Sequence, residues 1–263
     1  MKVGLIGIGI VGKAILQSFT DKGITVVPYD KYKEIGSLDE ILRTDIVFLC
    51  LPTPYDHGLG AYDKQSLDEV CSSLSKKYDG TVVIKSTVEP GTSQGVAERY
   101  DLNIIHNPEF LTANTAYQDF HQQTHIVLGR TSRVNDERLS ELVDFYRRHY
   151  PEAEISVCRS EESEAMKSFC NSFYAVKIQF FNELYVLCQS LGIDYNLVRE
   201  MMLKNNWINP MHTQVPGPDG RLSYGGMCFP KDTNALLSLM RRQNTPHRIM
   251  EATITERNTM RED

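Results

Sequence analysis

The first twelve residues constrain the fold most strongly, because they place a glycine-rich turn directly after a short apolar run. Residues 2–6 form the run, and residues 7–12 read GIGIVG, which fits the pattern G-x-G-x-x-G. Apolar residues with helical spacing follow over 11–19, so the turn lies between a predicted strand and a predicted helix. In that setting the pattern predicts a site for the diphosphate of a dinucleotide at the helix N-terminus.

The glycines of this turn have different predicted tasks. Gly7 allows the tight turn, Gly9 lets the diphosphate approach the backbone, and Gly12 lets helix and strand pack closely. Ile10 and Val11 complete the predicted cofactor-binding turn. The alternative is a glycine-rich turn in a sheet of the same type that binds no nucleotide.

Asp30 ends the next predicted strand, 18 residues after Gly12. We expect its carboxylate to accept hydrogen bonds from the hydroxyls of the adenosine ribose. Because a negative charge there repels a 2′-phosphate, NAD is favoured over NADP. The neighbouring Lys31 weakens that preference.

Strand-like and helix-like segments alternate over the first 160 residues. This order predicts an α/β fold, a Rossmann-like doubly wound parallel sheet with helices on both faces and right-handed crossovers. The predicted strands are 2–6, 25–29, 45–51, 81–85, 103–106 and 125–128, and the predicted helices are 11–19, 64–77, 93–100 and 135–150.

The pattern changes near residue 158. Residues 161–191 contain neither proline nor glycine, and their spacing predicts one helix about 45 Å long. We therefore predict a cofactor-binding domain over 1–158, then a long helix and a small all-α domain over 159–263. Shorter helices are predicted at 195–204, 233–242 and 246–259.

The long helix carries an apolar stripe that we expect to pair with a second copy of the chain, as a homodimer. The stripe consists of Met166, Phe169, Phe173, Val176, Phe180, Leu184 and Leu187.

Composition excludes several classes of protein. The net charge of −6 over 263 residues argues against a nucleic-acid or anionic-membrane binder. No apolar run approaches a membrane span, and the N-terminus does not resemble a signal peptide, so we expect a cytoplasmic protein. The six cysteines show no C-x-x-C spacing, which predicts neither a disulfide framework nor a metal site.

Residues 225–232, GGMCFPKD, form the most unusual segment. Cys228 precedes a helix predicted to begin near Asp232, and a thiol beside a helix N-terminus and a lysine tends towards the nucleophilic thiolate. The alternative is a buried structural cysteine, an interpretation that fits Cys50 and Cys188 better.

Two further segments supply complementary groups. Glu164, Lys167 and Asn171 share one face of the long helix, where the lysine and the amide can donate to a developing oxyanion. The alternative is a solvated salt-bridge face. Glu109 follows a strand end and is either a general base or a capping acid.

Two loops after strands are predicted to meet the cofactor, because ligands bind beyond the carboxyl ends of such strands. Thr53 lies in the loop 51–54, and Thr87 lies in the loop 85–88. The alternative is that these prolines and hydroxyls simply form turns, which for Thr53 alone is the better interpretation.

Six motifs, and the order in which they occur along the chain, resemble those of one known family: GIGIVG, LPTP, KSTVEPGT, NPEFL, EAMKSFCN and GGMCFPKD. They are similar to the UDP-glucose/GDP-mannose dehydrogenases. The resemblance implies oxidation of the C6 alcohol of a nucleotide sugar (a UDP- or GDP-hexose) to the carboxylate, with two NAD and no release of the aldehyde.

The resemblance also implies roles for individual residues. Cys228 would form a thiohemiacetal and then a thioester, and Lys167 and Asn171 would stabilise the oxyanions. Asp232 would position water or assist proton transfer, and Glu109 would help the water that hydrolyses the thioester. Thr87 would hold a catalytic water. The residues implied to line the NAD site are Gly7, Gly9, Gly12, Asp30, Thr53 and Thr87.

The chain departs from the family pattern at three places. Ala113 stands where a second glutamate usually follows NPEFL. The chain stops at Asp263, so the third, nucleotide-binding domain of the family is expected to be absent. Loop 209–223 differs from the usual substrate-gripping stretch, and whether Arg221 replaces its arginine is open.

Two other functions compete with this interpretation. A single-step hydroxyacid dehydrogenase would also pair such a domain with a long helix carrying Lys167 and Asn171, but it would not need the segment 225–232. A non-catalytic NAD-binding or subunit-interaction protein is suggested by the shortness of the chain.

Overall fold

A computed structural model describes residues 1–262; Asp263, the last residue of the predicted helical domain, lies outside the described part. The chain divides into two compact units. Unit 1 comprises Met1–Pro54 and Asp63–Lys167, and unit 2 comprises Tyr55–Tyr62 and the chain from Ser168 onward. The domain bounds given above and the absence of a third domain remain predictions.

Unit 1 is built on a seven-stranded sheet with the order β2-β1-β3-β6-β7-β8-β9. Because β1 lies between β2 and β3, the chain direction across the sheet reverses at β1, where the strands' carboxyl ends open a crevice for ligands. The strands are β1 (Val3–Ile6), β2 (Val26–Tyr29), β3 (Ile46–Leu49), β6 (Thr81–Ile84), β7 (Asn103–His106), β8 (His125–Arg130) and β9 (Glu154–Arg159).

Helices cover both faces of this sheet, as predicted. Successive strand residues point to opposite faces, so Phe48 packs in one apolar cluster and Val47 in the other. The first cluster includes side chains of α1, α5 and α6, and the second includes those of α3 and α4. The helices of unit 1 are α1 (Ile10–Asp21), α2 (Leu38–Ile41), α3 (Gln65–Leu74), α4 (Thr92–Tyr100), α5 (Ala116–His121) and α6 (Asp136–His149).

The predicted doubly wound parallel sheet is confirmed, with one antiparallel pair that the sequence did not indicate. Strand β8 runs antiparallel to β7, whereas the other adjacent pairs are parallel. For two consecutive strands to be parallel, the connection between them must carry the chain back to the end of the sheet where the first strand began, and this is usually done by a helix. The only helix between β7 and β8 is α5, whose six residues rise only about 9 Å. Strand β9 and the helices α2 and α5 are absent from the predicted elements.

Unit 2 consists of helices and one hairpin. Helix α7 (Ser160–Leu191) starts in unit 1 and runs unbroken for 32 residues, which confirms the predicted long helix. The other elements are the hairpin strands β4 (Tyr55–Asp56) and β5 (Ala61–Tyr62) and the helices α8 (Tyr195–Leu203), α9 (Phe229–Arg242) and α10 (Arg248–Met260). Within residues 1–262, no helix is both long and apolar enough to cross a membrane.

Helix α9 begins at Phe229, three residues before the predicted start near Asp232. Pro230 lies in its first turn, where a missing N–H costs nothing and the fixed φ suits a helix. Cys228 is therefore the residue that caps the helix.

Candidate active site

The turn after β1 has the geometry that a bound diphosphate requires. Gly7 adopts a φ of 90°, and a Cβ there would overlap the carbonyl oxygen of Cys50. A Cβ at Gly12 would overlap the carbonyl oxygen of Gly7, so this glycine is needed for close packing. Gly9 has open space around it, which is the room that a ligand against the backbone would use.

The N-terminus of α1 is available to an anion. Gly9 caps the helix without a side-chain hydrogen bond, and the first turn contains no acidic residue. Ile10 is exposed and Val11 is half-buried. Since the first N–H groups of a helix favour negative charge, the turn fits the diphosphate of NAD. That these residues bind it remains a prediction.

Asp30 is tied to the same turn. Its Oδ2 accepts a hydrogen bond from Ile8 N at 2.8 Å, and its Oδ1 accepts one from Tyr32 N at 3.1 Å. A carboxylate has lone pairs for further donors, so both bonds are compatible with the predicted ribose contact. The cation near this carboxylate is Lys33, whose Nζ lies 4.0 Å from Oδ2. Lys31 instead pairs with Glu69 at 2.5 Å.

The loops after β3 and β6 are bonded to each other. The Thr53 hydroxyl donates to the carbonyl of Thr87 at 2.7 Å, and the Ser86 hydroxyl donates to the carbonyl of Leu51 at 2.7 Å. Both threonines are buried. The Thr53 hydroxyl thus links the two loops, and that Thr53 and Thr87 line the cofactor site remains a prediction.

Lys167 and Glu109, two predicted catalytic residues, are brought together. Lys167 Nζ donates to the backbone carbonyl of Glu109 at 2.5 Å and lies 3.5 Å from its Oε1. The other oxygen, Oε2, accepts a hydrogen bond from Leu111 N at 2.6 Å. Glu109 therefore caps its own loop and also presents one oxygen to a buried ammonium. Ala113 lies exposed in the following loop.

The predicted alternative of a solvated salt-bridge face on α7 is wrong. Glu164, Lys167 and Asn171 are all buried. Glu164 accepts hydrogen bonds from Gly91 N at 2.6 Å and Ser93 N at 2.7 Å, so it caps the N-terminus of α4. Burial raises the pKa of Glu164 to about 7, although these backbone bonds oppose the rise.

Lys85 is a buried cation that the sequence reasoning missed. Its Nζ donates to Asn107 Oδ1 at 3.0 Å, at the start of the loop that carries Glu109. Burial lowers the pKa of Lys85 to about 8, against the opposing effects of Cys50 and Glu109. The available signal was a lysine placed directly after the buried strand β6.

In unit 2, Asn171 and Asp232 form a direct pair. Asn171 Nδ2 donates to Asp232 Oδ2 at 2.6 Å. On the other oxygen, Oδ1, Asp232 accepts hydrogen bonds from Lys231 Nζ and from the hydroxyl of Tyr62, each at 2.6 Å. Asp232 is fully buried. Tyr62 was also missed, because nothing in the sequence places its hairpin against α9.

Cys228 is the exposed thiol of this unit. It caps α9 without a side-chain capping bond, and a thiolate there benefits from the helix N-terminus. By contrast, Cys188 is buried, and burial raises the pKa of Cys50 to about 12, which agrees with inert structural roles for both. Among residues 1–262, all six cysteines lie outside disulfides.

The glycine pair at 225 and 226 has a local structural setting. A Cβ at Gly225 would overlap the guanidinium of Arg261, which pairs with Asp219 at 2.6 Å. Gly226 adopts a φ of 75°. Arg221 lies exposed in the preceding loop, and its predicted role towards substrate remains untested.

Unit 1 thus has the sheet topology and the turn of a dinucleotide-binding dehydrogenase, and unit 2 has a helix capped by an exposed thiol. Two models of one family match the chain in agreement with this class. Residues 33–148 match the NAD binding domain of the UDP-glucose/GDP-mannose dehydrogenase family, and residues 161–259 match its central domain. The chain belongs to the UDP-glucose/GDP-mannose dehydrogenase family. Because one of the matched models is the NAD binding domain of that family, the predicted cofactor, NAD, is confirmed.

Individual relatives agree with this assignment. The chain is 29% identical to the UDP-glucose 6-dehydrogenase of Rhizobium meliloti, over 97% of this chain and 67% of that protein. It is 33% identical to UDP-glucose 6-dehydrogenase AglM of Haloferax volcanii, over 86% of this chain and 55% of that one.

A solved structure of a relative is also similar to this chain in fold. The UDP-glucose dehydrogenase of Pyrobaculum islandicum superposes with a TM-score of 0.87 at 25% identity, covering 98% of this chain and 68% of that one. The chain thus spans between about half and two thirds of the length of the curated relatives.

Proposed function

We propose that the chain oxidises the C6 alcohol of a nucleotide sugar to the carboxylate, with Cys228 as a covalent nucleophile. The observation that carries the proposal is the exposed thiol of Cys228 at the N-cap of α9, whose first turn also holds the buried Asp232 bonded to Asn171. Family membership supplies the substrate class, since the relatives named above act on UDP-glucose.

Bound NAD would supply a hydride acceptor, and two equivalents account for the four electrons between alcohol and carboxylate. The turn at 7–12, with Gly7, Gly9 and Gly12, would hold its diphosphate. Asp30 would hold its ribose, as the sequence predicts.

Cys228 would act after the first oxidation. Its thiolate adds to the aldehyde carbon, forming a C–S bond and an oxyanion, the thiohemiacetal. Loss of a second hydride from that carbon gives a thioester. Water then adds, the C–S bond breaks, and the sugar leaves as a carboxylate while the thiol is regenerated. The covalent bond retains the aldehyde between the two oxidations.

Lys167 and Asn171 would stabilise the oxyanions of these steps, because an ammonium and an amide that are withdrawn from water are strong hydrogen-bond donors. Glu109 is held against Lys167, with Oε1 3.5 Å from the ammonium. We assign Glu109 to the water that hydrolyses the thioester, and Thr87 to holding a catalytic water.

We also propose that the chain is a cytoplasmic homodimer. Helix α7 exposes a row of apolar side chains at intervals of four and seven residues, which lie on one face of a helix. Each is 52–62% exposed: Phe169, Phe173, Phe180, Leu187 and Leu191. The other residues of the predicted stripe are half-buried, and of these Val176 and Leu184 pack against apolar clusters within unit 2. Thiols outside disulfides agree with a reducing compartment.

A screen for NADH release tests the activity. Purified protein is mixed with NAD⁺ and, in turn, UDP- and GDP-hexoses, and absorbance is followed at the NADH band. At least one sugar nucleotide should give turnover. Cys228→Ser should abolish carboxylate formation, while Cys158→Ser, a half-buried cysteine in β9, should retain it. Flat traces with every sugar nucleotide would refute the proposal.

A further inference from the structure

The hairpin of unit 2 makes two hydroxyl contacts with α9. The Tyr62 hydroxyl donates to Asp232 Oδ1 at 2.6 Å, and the Tyr55 hydroxyl lies 2.7 Å from Ser238 Oγ. The hairpin turn is stiffened by Asp56, whose Oδ1 accepts hydrogen bonds from Gly58 N and Leu59 N. The two tyrosines thus attach one short hairpin to two places on the same helix.

The Asp232 carboxylate needs hydrogen-bond donors, because its side chain is fully buried. A buried carboxylate is costly unless its oxygens accept hydrogen bonds. Within residues 1–262, the side chains that donate to it are those of Asn171, Tyr62 and Lys231. Asn171 lies on Oδ2, whereas Tyr62 and Lys231 share Oδ1.

The two donors on Oδ1 are not equivalent. Lys231 binds Oδ1 through a short ion pair of 2.6 Å, but its stem is flexible and its side chain is 21% exposed, so its ammonium can follow the oxygen when the carboxylate turns. Tyr62 is a rigid ring that is 1% exposed. Because Tyr62 and Asn171 bind opposite oxygens, together they fix the plane of the carboxylate. The orientation of that plane in turn sets the orientation of the Asn171 amide, which donates to Oδ2.

We propose that Tyr62 is a positioning residue, which orients Asp232 and through it Asn171 for the oxidation. The inference rests on the proposed function for its kinetic consequence. Loss of the hydroxyl leaves Lys231 as the side-chain donor on Oδ1. Because the lysine stem is flexible, it can follow the oxygen as the carboxylate turns about its Cβ–Cγ bond, so the Asn171 amide is misaligned in the transition state. Substrate binding by other groups is unaffected.

Tyr55 offers a matched control. Tyr62→Phe and Tyr55→Phe each remove one hydroxyl from the same hairpin, and each loses one hydrogen bond to α9. Of the two substitutions, only Tyr62→Phe removes a hydrogen bond to Asp232. A role limited to holding the hairpin against the helix predicts similar effects for both variants.

Steady-state kinetics with the active sugar nucleotide separate these cases. Tyr62→Phe should lower kcat about tenfold, the effect of one hydrogen bond to a charged group, and leave KM for sugar nucleotide and NAD⁺ within about twofold. Tyr55→Phe should keep kcat within about twofold. An unchanged kcat in Tyr62→Phe, or equal losses in the two variants, would overturn the proposal.

Thermal melting gives a readout that needs no substrate. The losses in Tm caused by Tyr62→Phe and Asp232→Ala should be non-additive in the double variant, since both remove the same bond. The loss in Tm caused by Tyr55→Phe should add to that caused by Asp232→Ala. If wild type shows no turnover, the proposed function fails, and this cycle still decides whether Tyr62 holds Asp232. Additive losses for Tyr62→Phe and Asp232→Ala would show that it does not.

Discussion

Gly9 and Gly12 belong to one motif but differ in what a side chain would meet. Gly9→Ala places a methyl group in open space, so the Tm should change little, while the affinity for NADH should fall at least tenfold because the diphosphate needs that space. Gly12→Ala forces the turn apart and should lower the Tm by several degrees. Thermal melts and NADH fluorescence titrations measure both quantities. Equal affinity for NADH in wild type and Gly9→Ala would contradict the assigned cofactor site.

How far single residues could be predicted depended on how local their cause was. The turn geometry of Gly7 follows from the residue type and its neighbours, and the structure agrees with it. The burial of Glu164 depends on α4 packing beside α7, which is a tertiary contact between distant segments. Helical spacing alone could not distinguish it from a solvated position.

At the scale of elements, Glu164 links α7 to the N-terminus of α4. Its pKa of about 7 lies above the ordinary value of 4.5, so the native state binds the proton more tightly than the unfolded state does. The stabilisation is complete below about pH 4.5 and is lost as the pH rises through about 7. It amounts to about 3 kcal/mol at most.

Glu164→Gln should therefore flatten the fall of Tm between about pH 4.5 and 7. Glu162→Gln, two residues earlier on the same helix, is the control, since hydrogen bonds from Arg159 lower the pKa of that exposed carboxyl. Scanning calorimetry across this window measures the slope. A slope that is identical in wild type and Glu164→Gln would show that Glu164 does not titrate there.

Elements with strong periodicity were predicted best. Helix α7 has one uninterrupted apolar pattern, and it forms as predicted. The direction of β8 and the hairpin at Tyr55–Tyr62 were not predictable, because both are decided by connections and partners far away in sequence. Tyr62 was missed for this reason.

At the scale of the molecule, the exposed row on α7 predicts a dimer. Phe180→Glu places a charge in that row and should shift the mass in solution from two chains to one, because an unpaired charge in an apolar interface is costly. Ile249→Glu, at an apolar position on α10 that is more exposed than Phe180, should leave the mass unchanged. Light scattering after size exclusion gives the mass. A wild-type monomer would contradict the prediction.

In the proposed reaction one thiol, that of Cys228, retains the sugar through two successive oxidations. Counting NADH released per sugar nucleotide consumed tests this, together with mass spectrometry of the Cys228 peptide from acid-quenched, digested samples. We expect two NADH per carboxylate formed, and a transient acyl adduct on Cys228 that is absent from Cys228→Ser. One NADH per sugar with free aldehyde as product, or carboxylate formation by Cys228→Ser at the wild-type rate, would contradict it.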